Sequence, residues 1–340
     1  MKVKWLVYGV VIMVLMLGAG NASAKDQPQV KGASKKSEQP RISKGKKIVA
    51  NLRWATASSG GAWPILGAAM LEDLRKANPG INGTCVPGNA TGNIMGVHQG
   101  KYELGFTMAE TAAQAWNGEG YFNKEKIQDI RAIAALYPNV TQMAVWEAST
   151  IKKIEDLKGK KVSPGPRGNT CETVFARILK LYGMSYKDMR VEFLSFDDAA
   201  QQMIDGHLDC LAFTTVYVPF PSIINVNSQR QIRLLSLPDE KVAALAKLQG
   251  IEPYVLPTGT HKGVNYPVKG IATRNFICAK KDLPDDIAYE LAKTVAENME
   301  RYGTVINTMK TVKPEDLARD TGVPMHPGAQ KYYREQGWIK

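Results

Sequence analysis

Long apolar runs, closely spaced cysteines and clustered histidines are all missing from this 340-residue chain. After the stretch Trp5 to Leu17, no segment approaches the roughly 18 unbroken apolar residues that a membrane-spanning helix requires. The four cysteines, Cys85, Cys171, Cys210 and Cys278, lie far apart, each in or beside an apolar segment where a buried free thiol is common. Disulfides stay possible in an oxidising compartment, and the three pairings remain open. His207 and Cys210 have a metal-like H-x-x-C spacing, but no second matching pair completes a four-ligand zinc site, so no metal is expected. Catalytic signatures are absent too: there is no G-x-S-x-G elbow, no phosphate-binding G-x-x-x-x-G-K-[ST] loop and no well-placed G-x-G-x-x-G. His98, His207, His261 and His326 are scattered, and the acidic pairs Asp197-Asp198 and Asp285-Asp286 sit beside expected helix starts, where capping explains them. Catalysis has no positive support, although a site assembled from distant residues escapes this test.

What is present suits a globular protein of about two domains, with 44% hydrophobic and 22% charged residues. Lys2 and Lys4 precede the 13-residue apolar run, and Ala22-Ser23-Ala24 follows as a small-residue cleavage pattern. Such a run reaches about 20 Å as a helix, short of a hydrocarbon core of roughly 30 Å, so residues 1–24 are expected to be a cleaved export signal and the protein to be periplasmic. The net charge of +12 invites a nucleic-acid reading. Much of it, however, lies between residues 25 and 47, where eight lysines and arginines face two acids without interleaved aromatics. Residues 25–46 therefore read as a flexible basic leader, with no nucleic-acid partner expected.

From Lys46 onward, apolar strands alternate with amphipathic helices, the pattern of a parallel-rich α/β fold. Ile48–Ala57 reads as a strand, and Leu66, Met70 and Leu74 mark one face of the helix after it, with Pro64 in its first turn and Asn78-Pro79-Gly80 at its end. Strands are expected at 84–87 and 103–107. A related arrangement recurs with strands at 160–163, 191–196 and 209–214, a helix at 171–181 whose Asn169 and Glu172 have capping-box spacing, and a helix at 197–205. GKYELGFT (Gly100 to Thr107) and GHLDCLAFT (Gly206 to Thr214) share a glycine, an acid three positions on and a closing Phe-Thr. Two lobes of similar construction follow, with an outward crossing at 143–149, a return at 268–280 and a final segment packed back on the first lobe. The expected division is 47–145 with 268–340 as lobe I, and 146–267 as lobe II. Two crossings make a hinge, and a hinge between two α/β lobes makes a cleft.

In open parallel sheets, ligands bind outside the carboxyl ends of strands, where helices begin. Three loops fit that position: Ser58 to Trp63, Gly88 to Asn93, and Arg167 to Thr170. Their glycines let the backbone approach closely, and free N–H groups at helix starts attract anions. Arg167, the only charge in these loops, can pair bidentately with a carboxylate or lie on a solvated loop, and Trp63 can wall the pocket or pack in a core.

At these loops the chain resembles the TAXI family, the extracytoplasmic solute receptors of tripartite ATP-independent periplasmic (TRAP) transporters. The resemblance runs from about Lys47 to the end. SSGGAWPILGAAMLEDL (Ser58 to Leu74) is similar to the family's opening Gly-Gly-aromatic loop and helix, Asn93 to the Asn of its second loop, and ALYPN (Ala135 to Asn139) to its Tyr-Pro segment. EDLKGKKVSPGPRGNTCET (Glu155 to Thr173) resembles its second-lobe loop, and MHPGAQKYYREQG (Met325 to Gly337) its C-terminal signature, a segment expected to serve lobe packing. Membership implies a two-lobed type II periplasmic-binding-protein fold with an interlobe cleft and two hinge crossings. It also implies capture of a small carboxylate, such as a dicarboxylate, 2-oxoacid or acidic amino acid, and its delivery to TRAP membrane subunits by a monomeric, cofactor-free receptor. The candidate ligand residues are Ser58, Ser59, Gly60, Gly61, Trp63, Asn89, Asn93, Thr107, Tyr137, Arg167, Gly168, Asn169, Thr170, Phe213 and Thr214. Trp63-Pro64 replaces the two aromatics the family often shows, and Gly168-Asn169-Thr170-Cys171-Glu172 its Gly-Ser-Gly-Thr-Glu, so the family's usual ligand does not transfer directly. A sensory receptor presenting the same closed form to a signalling kinase, or an exported enzyme on this fold, are the alternatives. Neighbouring genes separate the first, and turnover of a bound compound the second.

Overall fold

The computed structural model describes residues 48–57, 62–216 and 218–340. The expected export signal, the basic leader and the candidate residues Ser58, Ser59, Gly60 and Gly61 lie outside the described residues. The first half of the chain gives β1 (Ala50–Ala55), α1 (Ala62–Ala77), β2 (Ile81–Val86), α2 (Ala90–His98), β3 (Leu104–Met108), α3 (Ala109–Asn117) and the long β4 (Ile130–Trp146). Next come β5 (Lys161–Ser163), α4 (Thr170–Leu181), β6 (Arg190–Val191), α5 (Phe196–Ile204), β7 (Cys210–Thr215), α6 (Pro221–Gln229), β8 (Ile232–Leu234), α7 (Asp239–Leu245) and β9 (Glu252–Leu256). The chain returns through β10 (Val268–Lys280) and ends with α8 (Asp285–Glu297), α9 (Met299–Val305) and α10 (Pro327–Glu335).

The strands form one curled mixed sheet in the order β2-β1-β3-β10-β4-β7-β5-β6, with β8 added to β4 and β9 to β10. β1 is parallel to β2 and β3, and β5 is parallel to β6 and β7, whereas β4 and β10 run antiparallel to each other and to their flanking strands. On β4, residues 130–140 pair with β10, and residues 140–145 pair with β7. On β10, residues 275–279 pair with β3 and residues 268–272 with β9. Each long strand therefore begins in one half of the molecule and ends in the other. Pro138 sits where β4 changes neighbours. It has no N–H to give the ladder, and the β4–β10 register shifts beside it, between Arg274 and Phe276.

Helices cover both faces of each half, which explains the near-continuous apolar strands. In lobe I, Leu66, Met70 and Leu74 of α1 are buried as their spacing predicts, against Trp54, Phe106 and residues of α8, α9 and α10. A second lobe I core gathers Ile94, Val97, Ala112 and Phe276 beneath α2 and α3. Lobe II has one core under α4, with Val174, Phe175 and Ile178, and another under α5 and α6, with Met203, Phe213 and Ile223. The two-lobed α/β fold with two strand crossings and a cleft is thus the one the chain adopts.

The expected strand at 191–196 shrinks to Arg190–Val191. Ser195 causes this, because its hydroxyl accepts from the Asp198 N–H and donates to the Asp198 carboxylate, which starts α5 one residue later and leaves residues 192–195 outside any strand. The expected packing of the C-terminus on lobe I is seen. His326 caps α10, its N–H donates to the Ala132 carbonyl at 2.8 Å, and the Tyr333 hydroxyl donates to the Ile133 carbonyl at 3.0 Å. Gly328 is required at the start of α10, because a Cβ there would stand 2.1 Å from the Asp285 carbonyl oxygen. The four cysteines are all free thiols, three buried and Cys85 half-buried.

Candidate functional site

A cavity of about 400 Å³ opens between the lobes. Its lobe I wall is built from Trp63 at the start of α1, Gly88 to Ala90 at the start of α2, Met108 at the end of β3, Tyr137 and Asn139 of β4, and Asn275 of β10. The lobe II wall brings Asn169 before α4, Ser195 to Asp197 at the start of α5, Thr214 to Val216 at the end of β7, and Phe220 before α6. The carboxyl ends of β2, β3 and β7 and the amino ends of five helices thus meet in one place, as the parallel-sheet rule anticipates.

The floor is a chain of amides. The Trp63 indole Nε1–H donates to Asn275 Oδ1 at 2.9 Å, and Asn275 Nδ2 donates to the Tyr137 carbonyl at 2.9 Å and to Asn139 Oδ1 at 2.8 Å. Asn275 is fully buried, so its bonds fix the Trp63 ring and the two crossing strands against each other. Trp63 also stacks on Phe106, with centroids 5.8 Å apart. Across the cavity, Phe196 and Phe220 meet edge to face at 5.2 Å, with Phe213 behind them, 4.9 Å from Phe196. Among the described lining residues the only Asp, Glu, Lys, Arg or His is Asp197, whose Oδ1 accepts from the Ser222 hydroxyl at 2.8 Å.

Five candidate residues line the cavity: Trp63, Asn89, Tyr137, Asn169 and Thr214. The other described candidates are placed elsewhere. Asn93 is fully buried behind the α2 loop, where its Nδ2 donates to the carbonyls of Ala55, Thr56 and Phe106 and ties the ends of β1 and β3 together. Thr107 is held inward by its bond to the Ala90 carbonyl, and Phe213 backs the rings that do face the cavity. Arg167 is exposed with its guanidinium 3.8 Å from the Phe193 ring centroid, a cation–π stack, and is not among the residues that line the cavity. The Gly168 N–H, expected to meet a ligand, donates to the chain's own Glu172 at 2.6 Å and to Tyr121 at 3.1 Å. Thr170 meets Thr111 of the other lobe at 2.9 Å. The sequence reading missed Asn139, Asn275, Phe196 and Phe220. The signal for Asn275 was legible as an amide inside the apolar return segment 268–280, where only a partnered side chain is tolerated.

One side of the cleft is bridged. Glu110 of α3, fully buried, accepts from Arg177 Nε of α4 at 2.6 Å, from the Thr173 hydroxyl at 3.0 Å and from the Gln114 amide. Arg177 also pairs with Glu119 at 2.9 Å. Burial alone would lower the Arg177 pKa, and Glu110 and Glu119 together outweigh it, so the guanidinium is held above its ordinary value. Behind the lobe II wall, His261 is buried against Gln142, its Nε2 2.7 Å from the amide oxygen. Burial lowers its pKa to about 4, and Nδ1 has no partner among the described residues. Burial raises the Cys171 thiol, in the first turn of α4, to about 12, so it stays protonated and inert.

A family model described as the NMT1-like family matches residues 54–337. The chain belongs to the NMT1-like family. A Bordetella bronchiseptica protein shares 11% identity, with 84% of this chain and 98% of that one covered and a TM-score of 0.52. A Xanthomonas citri protein solved with a chloride ion shares 11% identity over 84% and 95% of the two chains, with a TM-score of 0.50. The likeness to these two is one of fold. The periplasmic aliphatic sulphonate-binding protein of Escherichia coli is 17% identical over 84% of each chain, with a TM-score of 0.47.

Proposed function

We propose that this NMT1-like protein is an extracytoplasmic solute receptor of the TAXI type. In this reading it is exported after cleavage at Ala24, works as a monomer, captures a small carboxylate between lobe I (47–145 and 268–340) and lobe II (146–267), and delivers it to TRAP membrane subunits. It binds without chemical turnover. The observation that carries this reading is the position of the cavity, where the starts of α1 and α2 face the cleft with no acidic residue in their first turns. Each such helix end favours an anion by about 0.3–1 kcal/mol, and more when partly buried. Closure of two lobes joined by the long strands β4 and β10 would complete the enclosure.

The test is a thermal-shift screen of carboxylates and amino acids on protein refolded to strip endogenous ligand, because a compound that binds only the native state raises the melting temperature. A carboxylate that raises it in a saturable way, and is recovered unchanged, supports the reading. No stabilisation by any anion, or conversion of the bound compound, contradicts it.

A further inference from the structure

The walls of the cavity point to more than an anion. We infer that the solute is an amphipathic monoanion, a single carboxylate carried on an apolar body of about ring size, and not a dicarboxylate; this rests on the receptor reading above. A volume of about 400 Å³ falls in the roughly 300–1,000 Å³ range of sites that enclose ligands with a substantial apolar part. Both walls carry rings. Trp63 faces the cavity from lobe I, immobilised by Phe106 beneath it and by Asn275 on its Nε1. Phe196 and Phe220 face it from lobe II, held edge to face and backed by Phe213. Rigid, pre-packed rings contribute apolar contact area at little entropic cost when a ligand arrives.

The charge distribution limits the solute to one acid. Of the three lobe II helix starts at the cavity, α4 is neutralised by Glu172, which takes the Gly168 N–H at 2.6 Å, and α5 by Asp197 and Asp198 in its first turn; α6 has no acid of its own, but its Ser222 hydroxyl donates to Asp197 at 2.8 Å, which sets that carboxyl beside the α6 start as well. No lysine, arginine or histidine lines the cavity among the described residues. The α1 and α2 starts, both in lobe I, hold no acidic residue in their first turns, and the cap at α2 is the neutral Asn89 amide, whose oxygen accepts from the Gly92 N–H. A first carboxylate placed there leaves a second one directed at lobe II, where Asn169, Ser195, Thr214 and Thr215 are neutral and do not offset the repulsion from Asp197 or the desolvation against two phenylalanine rings. An aryl or branched alkyl group meets the same wall favourably.

Titration calorimetry on the refolded protein decides between these classes, with 3-phenylpropanoate and indole-3-acetate as monoanions and glutarate and 2-oxoglutarate as dianions. The expected result is that an aryl monocarboxylate binds at least about tenfold tighter than either dianion. In Phe220→Ala that affinity falls about tenfold and dianion affinity rises, because the ring that opposes a second carboxylate is gone, so the preference for the aryl monoanion shrinks. Phe196→Leu serves as the second variant, and a matching melting curve shows that each variant is folded. Tighter binding of glutarate or 2-oxoglutarate overturns the monoanion assignment and leaves the carboxylate receptor standing. Binding of neutral or cationic solutes with no response to either anion class overturns both.

Discussion

At the scale of single residues, Asn275 holds the most of the site together. Its side chain joins Trp63, Asn139 and the Tyr137 backbone in a buried chain, so Asn275→Ala takes this partner from the Trp63 indole N–H and the Asn139 amide oxygen and removes one bond to the Tyr137 carbonyl. Chemical denaturation should show a loss of about 2–4 kcal/mol, and ligand affinity should fall about tenfold as the Trp63 ring loosens. Arg167→Ala should change affinity by less than about twofold, since the guanidinium stacks on Phe193 outside the cavity. Calorimetry with the same ligand checks both. A pH effect belongs to His261, whose pKa in the fold is lowered to about 4 from an ordinary 6.5. Between those values the unfolded chain holds a proton that the folded one does not, so stability is complete above pH 6.5 and is lost as pH falls toward 4. From pH 7 to 5 this group should remove about 2 kcal/mol, visible as a difference in urea midpoints that shrinks in His261→Gln. The sequence showed where helix starts would gather, but not which of two neighbours on one loop would face inward. Asn89 lines the cavity and Asn93 is consumed by three backbone carbonyls, a choice made by tertiary hydrogen bonding.

Among the elements, β4 and β10 set the geometry. Each crosses from one lobe to the other, and Pro138, on the strand that carries Tyr137 and Asn139, interrupts the ladder at the crossing. The alternation of strands and helices was legible because both faces of the sheet are covered and the helix faces repeat every three to four residues. The length of β4 was not, since an apolar run containing a proline reads as a break until a bulge accommodates it. The α2 loop offers the sharpest test at this scale. A Cβ on Gly88 would lie 2.0 Å from Asn93 Oδ1, whose amide pins the ends of β1 and β3. Gly88→Ala should therefore cost about 2–3 kcal/mol in thermal or chemical unfolding and disturb binding by moving Asn89; an unchanged melting temperature would show that the loop has room the close packing denies.

For the whole molecule, the cleft is set against an interlobe bridge whose centre is a buried charge. Glu110 is fully enclosed only while α3 and α4 meet, with Arg177 and Thr173 as its partners from lobe II. Removing Arg177 leaves that carboxylate buried and underpaired in the closed form, and opening relieves it by solvation. Arg177→Ala should therefore shift the lobes toward the open form and weaken ligand binding by about tenfold, close to 1.4 kcal/mol, with partial recovery in Arg177→Lys. Small-angle scattering of the refolded protein, alone and with a saturating aryl carboxylate, bears most directly on the central claim that the lobes close on an anion. The radius of gyration should fall on ligand addition and rise in ligand-free Arg177→Ala. Identical profiles with and without a demonstrably bound carboxylate would contradict it.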